Sequence, residues 1–138
     1  FVGRSGKLLD QFLKKVGIDP ETDSYLCNLV KSRPPKNRRP TKTEILESFP
    51  WLQKQIDLID PQIILLMGAT VVETFLGIKG GLSKIRGEWK IWEGRLIMPM
   101  FHPSYLLRNP SDSKGKPRSL TFLDFVEVRK KLDALELR

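Results

Sequence analysis

Gln62-Ile63-Ile64-Leu65-Leu66-Met67-Gly68-Ala69-Thr70 is the stretch on which the fold turns. Asp60-Pro61 precedes it and Gly68 closes it, so a breaker stands at each end of a continuous apolar run. Alternating apolar and polar residues would mark a strand with one wet face. A run with no polar residue inside it suits a strand of a parallel sheet, covered on both faces. Ile63–Met67 is also the longest strictly apolar run in the 138 residues, far short of the ~18 that span a bilayer.

The neighbouring segments supply the covering layers. Upstream, Thr41 with Glu44 reads as a capping box for a long helix with Ile45, Phe49, Leu52, Ile56 and Ile59 on its apolar face. Pro50 is placed to kink or split that helix. Tyr25-Leu26-Cys27-Asn28-Leu29-Val30 reads as a short buried strand, with polar Asn28 as its exception. A first helix is expected from a Ser5 cap through Val16, with Leu8, Leu9, Phe12, Leu13 and Val16 inward and Gly17 as the stop. Downstream, Thr70 with Glu73 forms a second capping box for a short helix to Gly77, and a glycine-rich, basic segment follows. Trp89–Trp92 and Arg95–Met100 flank Glu93-Gly94 as a hairpin. Residues 109–118 read as polar loop, and a last helix runs from about Ser119 to Leu135 with Phe125, Val128, Leu132 and Leu135 inward. Helices alternating with strands predict one layered α/β domain over residues 1–138 with a parallel sheet.

Composition narrows the partners. Twenty-four Lys and Arg against sixteen Asp and Glu leave a net charge of +8. Such a surplus suits a polyanion, with nucleic acid ahead of a membrane because no basic amphipathic helix stands out; a merely soluble basic surface is the alternative. A single cysteine, Cys27, excludes an internal disulfide and suits a reducing compartment, so the cytoplasm is expected.

In open α/β sheets ligands bind beyond the carboxyl ends of the strands. Three segments are expected there: Asn28 running into a basic loop, Gly68-Ala69-Thr70, and His102 running into a Leu106-Leu107 loop. Asn28 offers two donors and two acceptor lone pairs, either to nearby backbone or to both edges of a base. His102, the only histidine, is either a satisfied strand-end residue or a neutral donor to an oxygen that gains charge. Pro103 after it holds the local backbone extended. Lys31–Lys42 carries six basic residues, three prolines and no acid, which makes either a solvated loop or a stiff arc for phosphates. Tyr105-Leu106-Leu107-Arg108 sets apolar groups beside a cation, either as a wedge between stacked bases or as core packing. Nucleotide-binding glycine motifs are absent, one His and one Cys cannot build a zinc site without several carboxylates, and Ser104 near His102 lacks a third triad member.

These residues resemble the uracil-DNA glycosylase superfamily, most closely its family 4 type from bacteria and archaea. Phe1 to Leu9 is similar to the family's PFVGxxGxLL segment, and Tyr25 to Pro40 to its TNxVKCRPPxNRxP pattern. Leu66-Met67-Gly68-Ala69-Thr70 is similar to its ALGATA-like turn, and His102 to Arg108 to its HPSYLLR or HPAYLLR pattern, the most specific of the four. The resemblance implies a three-layer α/β/α fold around a four-stranded parallel sheet. The family's first strand, with a GExPG-like segment whose residue positions the attacking water, is expected upstream of Phe1.

The implied activity is extrusion of a uracil nucleotide from DNA and cleavage of its N-glycosidic bond, leaving an abasic site. By resemblance Phe1 stacks on the uracil, Asn28 reads its Watson–Crick edge, and His102 donates to its O2 as the base leaves as an anion. Leu106 and Leu107 fill the gap with Tyr105 beside them and Arg108 near phosphate, while Lys31, Arg33, Lys36, Arg38 and Arg39 grip the DNA backbone. Family 4 enzymes hold a four-iron, four-sulfur cluster on four cysteines, two of them at the positions of Ser32 and Ser48 here. A serine hydroxyl replaces a cluster thiolate poorly, so a cluster-free relative without metal is expected. Uracil-containing DNA is the implied partner, with no membrane and a monomeric state. A DNA-binding domain without catalysis, and a glycosylase for another deaminated base such as xanthine or hypoxanthine, are the alternatives.

Overall fold

The computed structural model of the protein describes residues 3–19, 22, 27–31, 42–78 and 80–136. For Cys27, Asn28, Lys31, Lys42, Ile45, Leu46, Ser48 and Glu136 it describes the backbone alone. Along the chain the elements are α1 (Gly3–Lys15), β1 (Cys27–Lys31), α2 (Lys42–Ile59), β2 (Ile63–Met67), α3 (Ala69–Leu76), α4 (Leu82–Ile85), β3 (Lys90–Trp92), β4 (Arg95–Met100), α5 (Pro103–Arg108) and α6 (Pro117–Glu136). No helix among the described residues is long and apolar enough to cross a membrane.

The apolar run becomes β2, and it lies inside the sheet. Strand order is β1-β2-β4-β3, with β2 parallel to both of its neighbours. All five β2 residues are buried, and they divide by parity. Ile63, Leu65 and Met67 pack with Leu9, Leu13, Phe125, Val128 and Leu132 of α1 and α6. Ile64 and Leu66 pack with Ile56, Val71, Val72 and Phe75 of α2 and α3. The side-chain period of two therefore feeds two separate cores, one on each face, which is why no position in the run tolerates a polar residue. The layers are α/β/α.

The four-stranded sheet is not wholly parallel as expected. β3 runs antiparallel to β4 at the edge. Glu93 and Gly94 join the two strands with φ of 49° and 77°, both left-handed as in the tight turns that match the twist of a hairpin. A two-residue connection can only return the chain antiparallel.

Several local expectations shift. Ser5 lies inside α1, which already begins at Gly3, rather than capping it. α1 ends at Lys15, and the chain turns at Gly17 as expected: Gly17 N–H donates to Lys14 O at 3.1 Å and Ile18 N–H to Leu13 O at 2.9 Å. Thr41 and its capping box lie outside the described residues, as do Tyr25 and Leu26. α2 runs unbroken through Pro50, and Ile59 at its end is 41% exposed rather than inward. Thr70 is not the cap residue of α3: the helix starts at Ala69, and Gly68 in the cap position has no side chain to bond its N-terminus. Gly68 has φ 104° and ψ 154°, a backbone region essentially reserved for glycine. The glycine-rich segment holds the short helix α4, and α6 begins at Pro117.

Candidate functional site

β1, β2 and β4 end together, because Lys31 pairs with Met67 and Met67 with Met100. Beyond those ends two segments meet. Gly68 N–H donates to Met100 O at 2.9 Å, which stitches the exit of β2 to the exit of β4. Two residues past Met100, the His102 ring lies against Gly68: a Cβ built there would stand 3.4 Å from His102 Cβ and 3.5 Å from its Cδ2. Glycine is thus required at 68 by its backbone conformation, and it also lets the ring sit close to the sheet.

His102 is not followed by a loop. It is the N-cap of α5, with extended φ −70° and ψ 141° and Pro103 in the first helical position. Proline fits there because that position needs no N–H, and it keeps the preceding residue extended. The cap bond comes from the ring: Nδ1 accepts from Ser104 N–H at 3.1 Å, with Ser104 Oγ at 2.8 Å. A backbone amide can only donate. Nδ1 is therefore an acceptor, and the neutral ring carries its proton on Nε2. The carbonyl of His102 accepts from Tyr105 N–H at 3.0 Å. At the other end of α5, Asn109 Nδ2 donates to Tyr105 O at 2.9 Å and Arg118 Nε to Leu106 O at 3.1 Å. The half-buried imidazole thus sits in a frame held from both sides.

The tetrapeptide after Ser104 resolves into two roles. Leu106 is 1% exposed and belongs to the α1/α6 core, so the expected wedge is corrected at this position to core packing. The reason is helical: once α5 forms, Leu106 turns inward while Tyr105 and Arg108 stay exposed. Leu107 is partly buried against the same core. Tyr105, 37% exposed, rests on Phe101 with ring centroids 5.0 Å apart.

Asn28 lies in β1, two strands away from β4 in the sheet order. Its backbone pairs with Ile64, and Ile64 with Ile97, five residues before His102. The strand expected through Val30 extends by one residue to Lys31, whose backbone marks this part of the rim. Phe1, Ser32, Arg33, Lys36, Arg38 and Arg39 lie outside the described residues. Lys31 and Ser48 are described by backbone alone, at the end of β1 and within α2.

A buried ion pair supports the frame and was not foreseen. Asp124 of α6 accepts from Arg86 Nη1, and its side chain is 5% exposed. Burial is the larger influence on its carboxyl and pushes its pKa up to about 6, against the hydrogen bond and charge of Arg86. A Cβ at Gly87 would collide with Asp124 Oδ1, so only glycine passes here. Gly87 N–H donates to Pro99 O of β4 at 2.9 Å. α6 therefore grips the strand three residues before His102, and through Arg118 the helix after it. Thr121, Asp124, Phe125 and Val128 share a helical face, so an acid at 124 on an otherwise inward stripe was the readable signal. Nothing in the sequence around Arg118 marks its bond to Leu106.

Among the described residues no cluster of three or more His, Cys, Asp or Glu side chains could hold a metal ion. A four-iron cluster needs four thiolates, whereas these 138 residues contain one cysteine. The donor set present does not fit that group.

The family model of the uracil DNA glycosylase superfamily matches residues 1–126. A type-4 uracil-DNA glycosylase of Thermotoga maritima is 46% identical over 114 residues, covering 81% of this chain and 59% of that protein. A type-4 uracil-DNA glycosylase of Sulfurisphaera tokodaii is 34% identical over 138 residues, covering 94% of this chain and 60% of that protein. A DNA polymerase of Bacillus phage SP01 is 42% identical over 108 residues, which are 78% of this chain and 12% of that polymerase. The chain thus spans about 60% of the length of the two glycosylases it matches. With the family model covering residues 1–126, this chain belongs to the uracil-DNA glycosylase superfamily.

Proposed function

We propose that this chain carries the base-excision chemistry of a uracil-DNA glycosylase, hydrolysing the N-glycosidic bond of a uracil extruded from DNA and leaving an abasic site. One observation carries the reading: Ser104 N–H on Nδ1 sets the His102 tautomer, so the neutral ring has an Nε2–H to donate at the rim. As the bond breaks, negative charge gathers on the uracil oxygens and positive charge on the sugar. A donor that is stationed before reaction and needs no proton transfer stabilises that charge without reorganisation. The frame of Gly68, Pro103, Ser104 and Arg118 supplies the stationing.

The remaining roles rest on sequence position. Phe1 stacks on the base, and Asn28 discriminates uracil by matching O4 and N3–H. Lys31, Arg33, Lys36, Arg38, Arg39 and Arg108 meet phosphates, with Tyr105 and Leu107 against the bases. The chemistry proceeds without a metal cluster, on a cytoplasmic monomer.

Uracil release from a uracil-containing single-stranded oligonucleotide, by this chain and by a version extended upstream, is the direct test. Release by at least one of them is expected, with His102→Ala lowering the rate about 100- to 1,000-fold, as loss of one stationed donor does. DNA binding with no release by either would leave a binding module in place of an enzyme. Release of xanthine or hypoxanthine instead of uracil would reassign the substrate.

A further inference from the structure

The cations of this protein divide into paired and unpaired sets. Around the hairpin and along α6, Arg95 lies near Asp57, Asp60 and Glu93, Lys90 near Glu88, Arg86 against Asp124 and Arg129 against Asp133. After α5 the pattern reverses. Arg108, Lys114 and Lys116 are exposed, and none of them makes an ion pair among the described residues. Asp112 is the one acid between His102 and Leu123, and the first turn of α6 has none.

The segment that carries these lysines is tied down. Ser113 N–H donates to Ser111 Oγ at 3.3 Å, and Lys116 N–H to Ser113 O at 3.0 Å. Leu120 N–H then donates to Lys116 O at 2.9 Å, joining the turn to α6. Pro110 and Pro117 bracket the turn, and Arg118 binds the start of α6 to α5. Two exposed lysines without an ion pair on such a turn offer positive charge that a polyanion would meet.

Their place relative to His102 sets the length a bound polyanion would have to bridge. In the order β1-β2-β4 the end of β1 lies on one side of Gly68, and β4 with α5 on the other. Two strand spacings are about 10 Å, and six residues of α5 add up to about 9 Å. The span, about 20 Å, equals roughly five to six base steps of a B-form strand. We infer that the 109–116 turn is a second phosphate-gripping segment, in which Lys114 and Lys116 contact the DNA backbone on the side of the extruded nucleotide away from β1. The inference rests on the glycosylase reading for the identity of the polyanion as DNA. Neutralising both lysines weakens binding to any sequence, because phosphate contacts position the nucleic acid without reading it.

The test uses the full-length protein carrying Lys114→Gln and Lys116→Gln together. A control carries Lys54→Gln and Lys130→Gln, exposed lysines on α2 and farther along α6 that remove the same charge. Affinity for single-stranded oligonucleotides with and without uracil is measured by fluorescence anisotropy across a salt series. The loop pair is expected to weaken binding about tenfold or more at 0.1 M salt and to flatten the log K against log salt slope by about 1.4, at ~0.7 per single-strand phosphate contact. The control pair keeps both the wild-type slope and the wild-type rate of release. A wild-type slope in the loop variant, or equal flattening by the control, overturns the inference. Failure of the glycosylase reading shows separately, as no release by wild type while the slope difference persists.

Discussion

Gly68 and His102 form the smallest unit on which the site depends. Gly68 occupies a backbone region closed to other residues, and its missing side chain is what the imidazole rests against. Gly68→Ala is therefore expected to lower stability by about 1–3 kcal/mol through backbone strain, and to move the ring only as far as that strain shifts the β2 exit, because the added Cβ itself meets His102 at ordinary contact distance. Thermal unfolding reads the first effect and single-turnover uracil release the second. Wild-type stability and rate together in that variant would remove Gly68 from the site. At this scale the sequence was informative about identity and silent about geometry. His102 stood out as the only histidine, and Pro103 foretold its extended backbone. Its bond to Ser104 N–H depends on where the ring turns, which no local propensity states.

α5 shows how an element redistributes the meaning of its residues. Read as a loop, Leu106 and Leu107 were equivalent apolar neighbours. Wound as a helix capped by His102, they separate by about 100° of rotation. Leu106 enters the α1/α6 core and Leu107 stays at its margin. Leu106→Ala should destabilise the fold by about 2–5 kcal/mol, as for a fully buried leucine. Leu107→Ala should cost about 1 kcal/mol or less and instead reduce release from duplex DNA relative to single-stranded DNA. Chemical denaturation paired with the two release assays distinguishes them; equal stability loss in both would mean that both leucines are core. The longer elements were easier to read. α6 buries Phe125, Val128 and Leu132, and β2 buries every residue of its run. Periodicity over many residues averages out local exceptions, whereas the six residues of α5 offer fewer than two turns for a pattern to declare itself.

Across the whole molecule, α6 is the member that holds the rim together. It reaches α5 through Arg118, the β4 exit through Asp124, Arg86 and Gly87, and the hairpin through Glu127, which accepts from Trp89 Nε1 at 3.2 Å. Asp124 makes this brace sensitive to pH. Its folded pKa of about 6 lies above the ordinary value of 3.8, so the native state binds the proton more tightly than the unfolded chain does. Its contribution to stability is fully present below about pH 4 and is lost as pH rises through 6, by on the order of 3 kcal/mol. Between pH 5 and 7.5 the wild-type Tm should therefore fall more than that of Asp124→Asn, which has no proton to lose. Comparing the two slopes cancels any constant loss from leaving Arg86 beside an amide. Parallel slopes would show that Asp124 does not titrate in this window.

The chain's own pattern determined the layered architecture, because burial on two faces demands an unbroken apolar run and leaves little freedom in where that run can sit. It also determined the hairpin, since Glu93-Gly94 can adopt the two left-handed conformations that a tight antiparallel return requires. It pointed to His102 as the candidate site residue through its scarcity and through the motif around it. Only the tertiary structure decided that Leu106 is core and that Asp124 and Arg118 brace the site. Each of these depends on register or on contact between residues far apart in the chain. Periodicity fixes which face a side chain takes, but not where its strand starts or which partner lies opposite.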